Sequence, residues 1–444
     1  MTPAARHQAA IELLEELERA LKSEGAAFNG IFRRFFARRR YAGSGDRRSV
    51  RELVYGVLRD YQRLGWVLEQ SAGLMPSPRH LLLARLALEG GDAANLFTGQ
   101  PFAPAVLGEA EAKALPGLAE LAGKAPPWAR LNCPEWIFPD FERRFGGRLE
   151  EELLALNGRA PLVFRANRLK GKRIELQAFL EKEGIAVTPG RFQPQALYVA
   201  QPFNAKGTKA YLDGLFEIQD EASQVAAALV LAEPGAEVLD FCAGAGGKTL
   251  AMAADMGKKG RITATDTSGR RLAELRKRAK RAGFEKYSAV KLPEPQDAAE
   301  RREALSGLQG RFDRVLVDAP CSGTGTWRRQ PELRLRYDVK RLKALLTAQQ
   351  GLMDEAAGLV KPGGRMVYVT CSLLGCENED QCGRFLGGHK GWKAVPWQEV
   401  WTAAGLGELP ASQSPKPDYL QFSPAAHGTD GFFVSIFEAP DGLS

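Results

Sequence analysis

The chain has 444 residues, of which 44% are hydrophobic and 26% charged, and a formal net charge of +8. That length supports two or three domains with sizeable cores, and the composition is that of an ordinary folded chain, not a disordered or fibrous one. No apolar run reaches the roughly 18 residues of a membrane helix, and the basic excess calls for an anionic partner, of which nucleic acid is the usual one.

The opening stretch IELLEELERALKSEG is an amphipathic helix carrying acids, unlike a signal peptide, so a cytoplasmic setting is expected. There the six scattered cysteines stay reduced, and without paired CxxC motifs they make no zinc site. Each thiol is therefore either packing or chemistry. To about residue 126 the chain reads as helical, with apolar residues every three or four positions in ARHQAAIELLEELERALKS and RRSVRELVYGVLRDYQRLGWVLEQS. Between them, FNGIFRRFFARRRYAGSGDRR alternates aromatics with Arg33, Arg34, Arg38, Arg39, Arg40, Arg47 and Arg48. This pattern suits an RNA surface, where guanidinium groups meet phosphates and rings stack on bases, and that is the expectation. The alternative is a helix that buries its Phe face and solvates its arginines. Residues 90 to 126 are rich in Gly, Ala and Pro, and AGKAPPWAR reads as a linker.

From 127 to 212 the strand-like PLVFRANRL and ALYVAQPF flank a helix, RIELQAFLEKEGI, that ends at Gly184. A small α+β module is expected, with nothing catalytic of its own. From 213 to 444, AEVLDFCA, RITATD, FDRVLVDAP and RMVYVTCS read as buried strands alternating with helices, and GFFVSIFEA as a final edge strand. The fold class is α/β, a mostly parallel sheet with helices on both faces and ligands beyond the carboxyl ends of its strands.

The loop after the first of those strands is DFCAGAGGKT, residues 240–249. A Walker A loop needs Gly where Cys242 stands, and a dinucleotide GxGxxG needs Gly at Thr249, so both readings fail. What remains is Asp240 followed by a Gly244-x-Gly246 turn. Asp266 then ends the next strand, placed to accept hydrogen bonds from two ribose hydroxyls; NAD sites use the same geometry, so Asp266 alone does not separate the cofactors. Further on, DAPCSGTG places Asp318 and Cys321 after one strand, and YVTCS places Cys371 at the end of the next. Neighbouring strand ends lie about 5 Å apart, so both thiols reach one pocket. Two thiols there suit methylation at carbon-5 of a pyrimidine. A thiolate adds to carbon-6 and makes carbon-5 nucleophilic, and a second thiol assists release. Bare chemistry leaves open which cysteine attacks. Asp318 has the reach to bond the amino edge or nitrogen-3 of the ring. Cys376 and Cys382 match no zinc spacing and read as structural, and Cys133 lies far away in sequence.

These residues resemble the Sun/Nop family of RNA cytosine carbon-5 methyltransferases. The motifs that carry the likeness are FEIQDEASQ (216–224), FCAGAGGKT, DAPCSGTG, TCS and HGTDGFF (427–433). The resemblance implies a class I methyltransferase with a Rossmann-like, mostly parallel seven-stranded sheet over 213–444. It also implies a small α+β RNA-binding subdomain over 127–212, with RAN (165–167) in place of the family's R-x-N, and an all-α NusB-like domain over 1–126. The cofactor implied is S-adenosylmethionine, bound by Cys242, Ala243, Gly244, Ala245, Gly246, Gly247, Lys248, Asp266, Glu294 and Asp318. Cys371 is implied as the nucleophile, Cys321 as the thiol that assists release, and Asp318 and Lys248 as catalytic neighbours. Arg328 and Arg329 match a stretch expected to meet the RNA backbone. The partner implied is RNA, rRNA in the bacterial small-subunit branch, and the target cytosine must be unstacked to react. No metal and no membrane are expected, and nothing requires more than a monomer. Gly244-Ala245 stands where the family has Ala-Pro, which makes the turn less rigid. LPEP stands where it has a Gly-Asp stretch, with Glu294 the substitute for the adenine-contacting acid. The alternatives are the same chemistry on tRNA, or a non-catalytic RNA-binding assembly factor that keeps the fold; a NAD enzyme is disfavoured by the missing GxGxxG.

Overall fold

A computed structural model of the protein describes residues 1–22, 28–71, 73–201, 203–257 and 259–442. It divides into two compact units, one of Met1–Arg159 with Trp327–Val339 and one of Ala160–Thr326 with Lys340–Ser444.

The first unit is helical. Helices Pro3–Lys22, Phe28–Ala37, Ser44–Arg59, Tyr61–Gln70 and Pro78–Leu88 enclose one core. Phe28, Ile31, Phe32, Phe35 and Phe36 all fall on the buried face of their helix, at three- and four-residue spacing. The expectation that these rings stack on RNA bases is thereby corrected, because burying that stripe is what holds the helix in the unit. Arg39 lies 3.6 Å over the Phe35 ring and bonds Glu12, while Arg38 pairs with Glu16. Arg33, Arg34, Arg40 and Arg48 are exposed. The supposed linker region forms short helices, Ala93–Leu96, Glu109–Ala114 and Leu118–Gly123, whose Leu118 joins the same core. In the returning segment Arg328 is buried and Arg329 half-buried, so Arg328 does not present its guanidinium to an RNA backbone. Trp327 stacks on Phe141, and Arg334 covers Trp327 and donates to Asn157 at 2.6 Å.

The second unit contains two sheets. The small one is antiparallel, order β2-β3-β1-β4, from β1 (Leu162–Ala166), β2 (Val187–Pro189), β3 (Ala196–Val199) and β4 (Phe216–Ile218). Helix Arg173–Lys182 follows β1 and its Leu176 and Leu180 pack into the core of this sheet. Arg165 and Asn167 of RAN are both 6% exposed and point into the protein.

The large sheet comprises β5 (Glu237–Asp240), β6 (Arg261–Asp266), β7 (Tyr287–Lys291), β8 (Phe312–Asp318), β9 (Val360–Thr370), β10 (Lys393–Val395), β11 (Leu420–Phe422) and β12 (Phe432–Glu438). Its order is β10-β12-β9-β8-β5-β6-β7, with β11 paired to β12 off that path. The five strands from β9 to β7 are parallel, and β12 runs against β9. The central strands are buried on both faces, as Val238, Leu239, Val315, Leu316, Val367 and Val369 show, which is why they read as continuous apolar runs. GFFVSIFEA, expected at an edge, is interior. β10 and β11 flank it, and at three residues each they are too short to leave an alternating pattern.

Candidate active site

Chain order reverses between β5 and β8: β6 and β7 extend the sheet to one side, β8 and β9 to the other. Loops leaving neighbouring strands therefore diverge and leave an opening at their carboxyl ends. A cavity of about 500 Å³ occupies that opening. Its floor is the loop 241–248. Gly244 (φ 56°) and Gly246 (φ 81°) take left-handed conformations, and the Gly246 N–H closes a turn on the Ala243 carbonyl at 2.8 Å. A Cβ at Gly246 would overlap Leu275 of the packed helix behind it. The turn delivers the chain into helix Gly247–Asp255, whose first residues, Gly247 and Lys248, line the cavity.

Asp266 ends β6 and takes two backbone N–H groups, Gly244 at 2.9 Å and Ser268 at 2.7 Å, which fixes its carboxylate against the loop. Cys242, Ala243, Gly244, Ala245, Gly247, Lys248, Asp266, Glu294 and Asp318 all line the cavity. Gly246 supports the turn behind them. Glu294 reaches the wall from the Pro293–Pro295 stretch, where Arg301 donates to the Pro293 carbonyl at 2.7 Å and pairs with Glu355. Asp240 is no part of the wall: it is buried, accepts the Thr249 hydroxyl at 2.6 Å, and burial, with Asp318 and Asp266 adding, pushes its pKa up to about 7.

Asp318 ends β8 and Lys248 begins the helix after β5. Their side chains meet at 2.7 Å, with Lys248 nearly buried and its ammonium 5.1 Å from the Phe432 ring. The cavity wall continues to Pro320, next to Cys321. Cys321 and Cys371 lie with their sulfurs 3.4 Å apart although 50 residues separate them in the chain. The Cys321 thiol is pushed well above the ordinary thiol range, by its hydrogen bond to Cys371 and by burial. It holds its proton, and two sulfurs this close do not both ionise. Cys382 is buried against Ser435 and Cys133 is buried in the helical unit.

What holds the two thiols in register is Glu377, which the motif reading passed over. Its fully buried carboxylate accepts from the Ser322 N–H at 2.8 Å, from Gln349 at 3.0 Å, and from the Ser322 and Ser372 hydroxyls. Ser322 and Ser372 each follow a cysteine, so one carboxylate ties both loops. Gln349 also donates to the Pro320 carbonyl at 2.9 Å, and the Cys371 carbonyl accepts from Gly325 at 3.0 Å. The one sequence signal was an acid six residues after Cys371 in a stretch with no solvent-facing periodicity. Arg278, also on the wall, lies in no motif, and Gln219 beside it belongs to FEIQDEASQ but had no role assigned to it.

The cavity is of ligand size. Its wall offers acids for hydroxyl and amino groups, Asp266 and Glu294, the apolar Leu292 and Leu352, and the first residues of a helix, Gly247 and Lys248. That donor set fits a nucleoside with a zwitterionic tail. Beyond it buried Lys248 paired with half-exposed Asp318, and two thiols, can polarise and attack an electron-poor ring.

Residues 227–438 match the family model described as 16S rRNA methyltransferase RsmB/F, and residues 133–206 match the ferredoxin-like domain of RsmF/B-like methyltransferases. The chain is 31% identical to a probable ribosomal RNA small subunit methyltransferase B of Synechocystis sp., over 88% of this chain and 90% of that one. With the protein of the same description from Bacillus subtilis it shares 28% identity over 96% of each. A solved methyltransferase homolog protein from Pyrococcus horikoshii is similar at 25% identity and a TM-score of 0.60, over 71% of this chain and all of that one.

Proposed function

Because the chain belongs to the 16S rRNA methyltransferase RsmB/F family, we propose that it methylates carbon-5 of a cytosine in small-subunit rRNA through a covalent adduct on Cys371. Its cofactor is S-adenosylmethionine, which supplies an electrophilic methyl group. The residues that would hold it are the 242–248 loop, Asp266 for the ribose hydroxyls and Glu294 for the adenine, with Asp318 facing the substrate.

The observation that carries this reading is the pair of sulfurs 3.4 Å apart, one strand end from a lysine–aspartate pair and one residue from the cavity wall. Direct methylation of an amino or hydroxyl group needs no thiol, whereas carbon-5 of cytosine is a poor nucleophile until a thiolate adds to carbon-6. Cys321, which keeps its proton, is the hydrogen-bond donor of the pair and stabilises the Cys371 thiolate. Cys371 attacks carbon-6, and the electron pair of the 5,6 double bond moves to carbon-5, which takes the methyl group. Loss of the carbon-5 proton to water then re-forms the double bond and expels the Cys371 thiolate, and the Cys321 thiol assists that elimination and release by donating its hydrogen bond to the departing sulfur. Lys248 holds Asp318 through one oxygen, and the other accepts from the cytosine amino edge, which orients the ring over Cys371.

The test is adduct formation on denaturing gels with a small-subunit rRNA transcript and cofactor. Cys371→Ala is expected to abolish methylation and to form no adduct, and Cys321→Ala to accumulate a covalent protein–RNA species. An adduct in the first variant and none in the second reverses the assignment; no adduct in either refutes the covalent route.

A further inference from the structure

Besides Asp266 at the Gly244 N–H, the cofactor loop is held from outside at the Ala245 carbonyl. Arg278, on helix Gly269–Ala282 after β6, donates from Nη1 to the Ala245 carbonyl at 2.7 Å. Its Nε and Nη2 donate to Glu217 at 3.2 and 2.9 Å. Glu217 lies on β4, in the small antiparallel sheet, and its carboxylate is 4% exposed and also binds Arg281. The buried Arg165 stands directly opposite Glu217 in the β1–β4 ladder. Asn167, two residues on, donates to the Gly214 carbonyl at 2.8 Å and to the Ala282 carbonyl at 2.9 Å. A Cβ on Gly214 would overlap the Arg281 carbonyl, so sheet and helix approach backbone to backbone.

Ala245 sits between two glycines at positive φ, a stretch with little stiffness of its own. A charge-assisted bond to its carbonyl removes that freedom before the cofactor arrives, so that ordering the loop is not charged against binding. A guanidinium pinned on its other edge by a carboxylate is itself rigid, because both ends of its planar fork are engaged.

We infer that Arg278 is a positioning residue that holds the Ala245 carbonyl in its cofactor-binding place, and that Glu217 holds Arg278. The small antiparallel sheet thus sets the affinity for the cofactor through buried residues, in addition to any contact with RNA. This rests on the assignment of the cavity to S-adenosylmethionine.

The test is calorimetric binding of S-adenosylhomocysteine to the full chain, without RNA and without turnover. Arg278→Ala is expected to weaken binding about tenfold, the loss of one charge-assisted hydrogen bond. Glu217→Gln, which keeps the shape and removes the charge, is expected to weaken it about threefold in the same direction. Ala245→Pro in the Arg278→Ala background stiffens the loop by another means and is expected to recover most of the loss. A role in packing alone lowers the melting temperature and leaves the affinity of the folded protein unchanged. Should Arg278→Ala not fold, Glu217→Gln decides. Unchanged affinity in the variants that fold overturns the inference, as does a loss that Ala245→Pro fails to recover, which makes Arg278 a direct cofactor contact. If the wild type itself does not bind, the cofactor assignment falls and the clamp falls with it.

Discussion

Removing Glu377 breaks the frame that sets the two thiols together. Glu377→Ala takes one acceptor pair from four donors: the Ser322 N–H, Gln349 Nε2 and the Ser322 and Ser372 hydroxyls. Left unpaired, four buried donors would cost about 1–3 kcal/mol each. The hydroxyls lose less, since Ser322, Thr324 and Ser372 lie within 3.5 Å of one another and can bond among themselves. Gln349 keeps its bond to Pro320. That leaves the Ser322 N–H and a partly satisfied amide, plus the space of the deleted side chain, so the expected destabilisation is about 3–5 kcal/mol. Glu377→Gln keeps one oxygen for the Ser322 N–H and Gln349 and turns its NH₂ toward hydroxyls that can accept, for a cost of about 1–2 kcal/mol. Native-state hydrogen exchange at the amides of β8 and β9 measures both changes where the network lies. Methyl-transfer rates should follow, with Ala severely impaired and Gln close to wild type. A loss below about 1 kcal/mol in Glu377→Ala, or equal losses in the two variants, refutes the reasoning.

Burial raises the pKa of Asp240 to about 7 from an ordinary 3.8, so the folded state holds a proton that the unfolded state has released. Its contribution to stability is complete below 3.8 and is lost as pH rises through 7. Asp240→Asn, which carries no titrating proton, should therefore flatten the fall in stability across that window in urea titrations at several pH values. A slope unchanged by the substitution rejects the assignment. Gly325→Ala places a Cβ against the Gly431 carbonyl, backbone that no side chain can yield for, while the Gly325 N–H is the donor to Cys371. Overpacking of about 1–3 kcal/mol and at least a tenfold fall in methylation are expected, whereas Gly307→Ala, which meets nothing, should be near neutral. Equal behaviour of the two variants in a thermal melt and a methylation assay contradicts this account.

Much of the α/β unit was legible because parallel strands buried on both faces leave long apolar runs, and each ends in a loop with a distinct chemical signature. β5, β6, β8 and β9 were all read on that basis. The strands that escaped, β2, β4, β10 and β11, are three residues long, less than two periods of alternation, and β7 is half-exposed and interrupted by Ser288. FEI, read as the opening of the catalytic domain, instead forms β4 and completes the small sheet. The arginine-rich helix was misjudged because alternating rings and guanidinium groups describe a buried face and a binding face equally well.

By itself, the sequence determined which residues carry chemistry: a glycine turn, an acid and two thiols, each at the end of a strand that local periodicity defines. It also determined that these ends share one sheet, since right-handed βα crossovers leave few alternatives. Only the tertiary structure decided what those residues meet. The 3.4 Å between Cys321 and Cys371, the carboxylate of Glu377 behind them, and the reach of Arg278 from Glu217 to Ala245 depend on loop paths between segments that are distant in the chain. Periodicity reports the face a residue turns toward the core, whereas the partner it finds there is set by how separate elements pack.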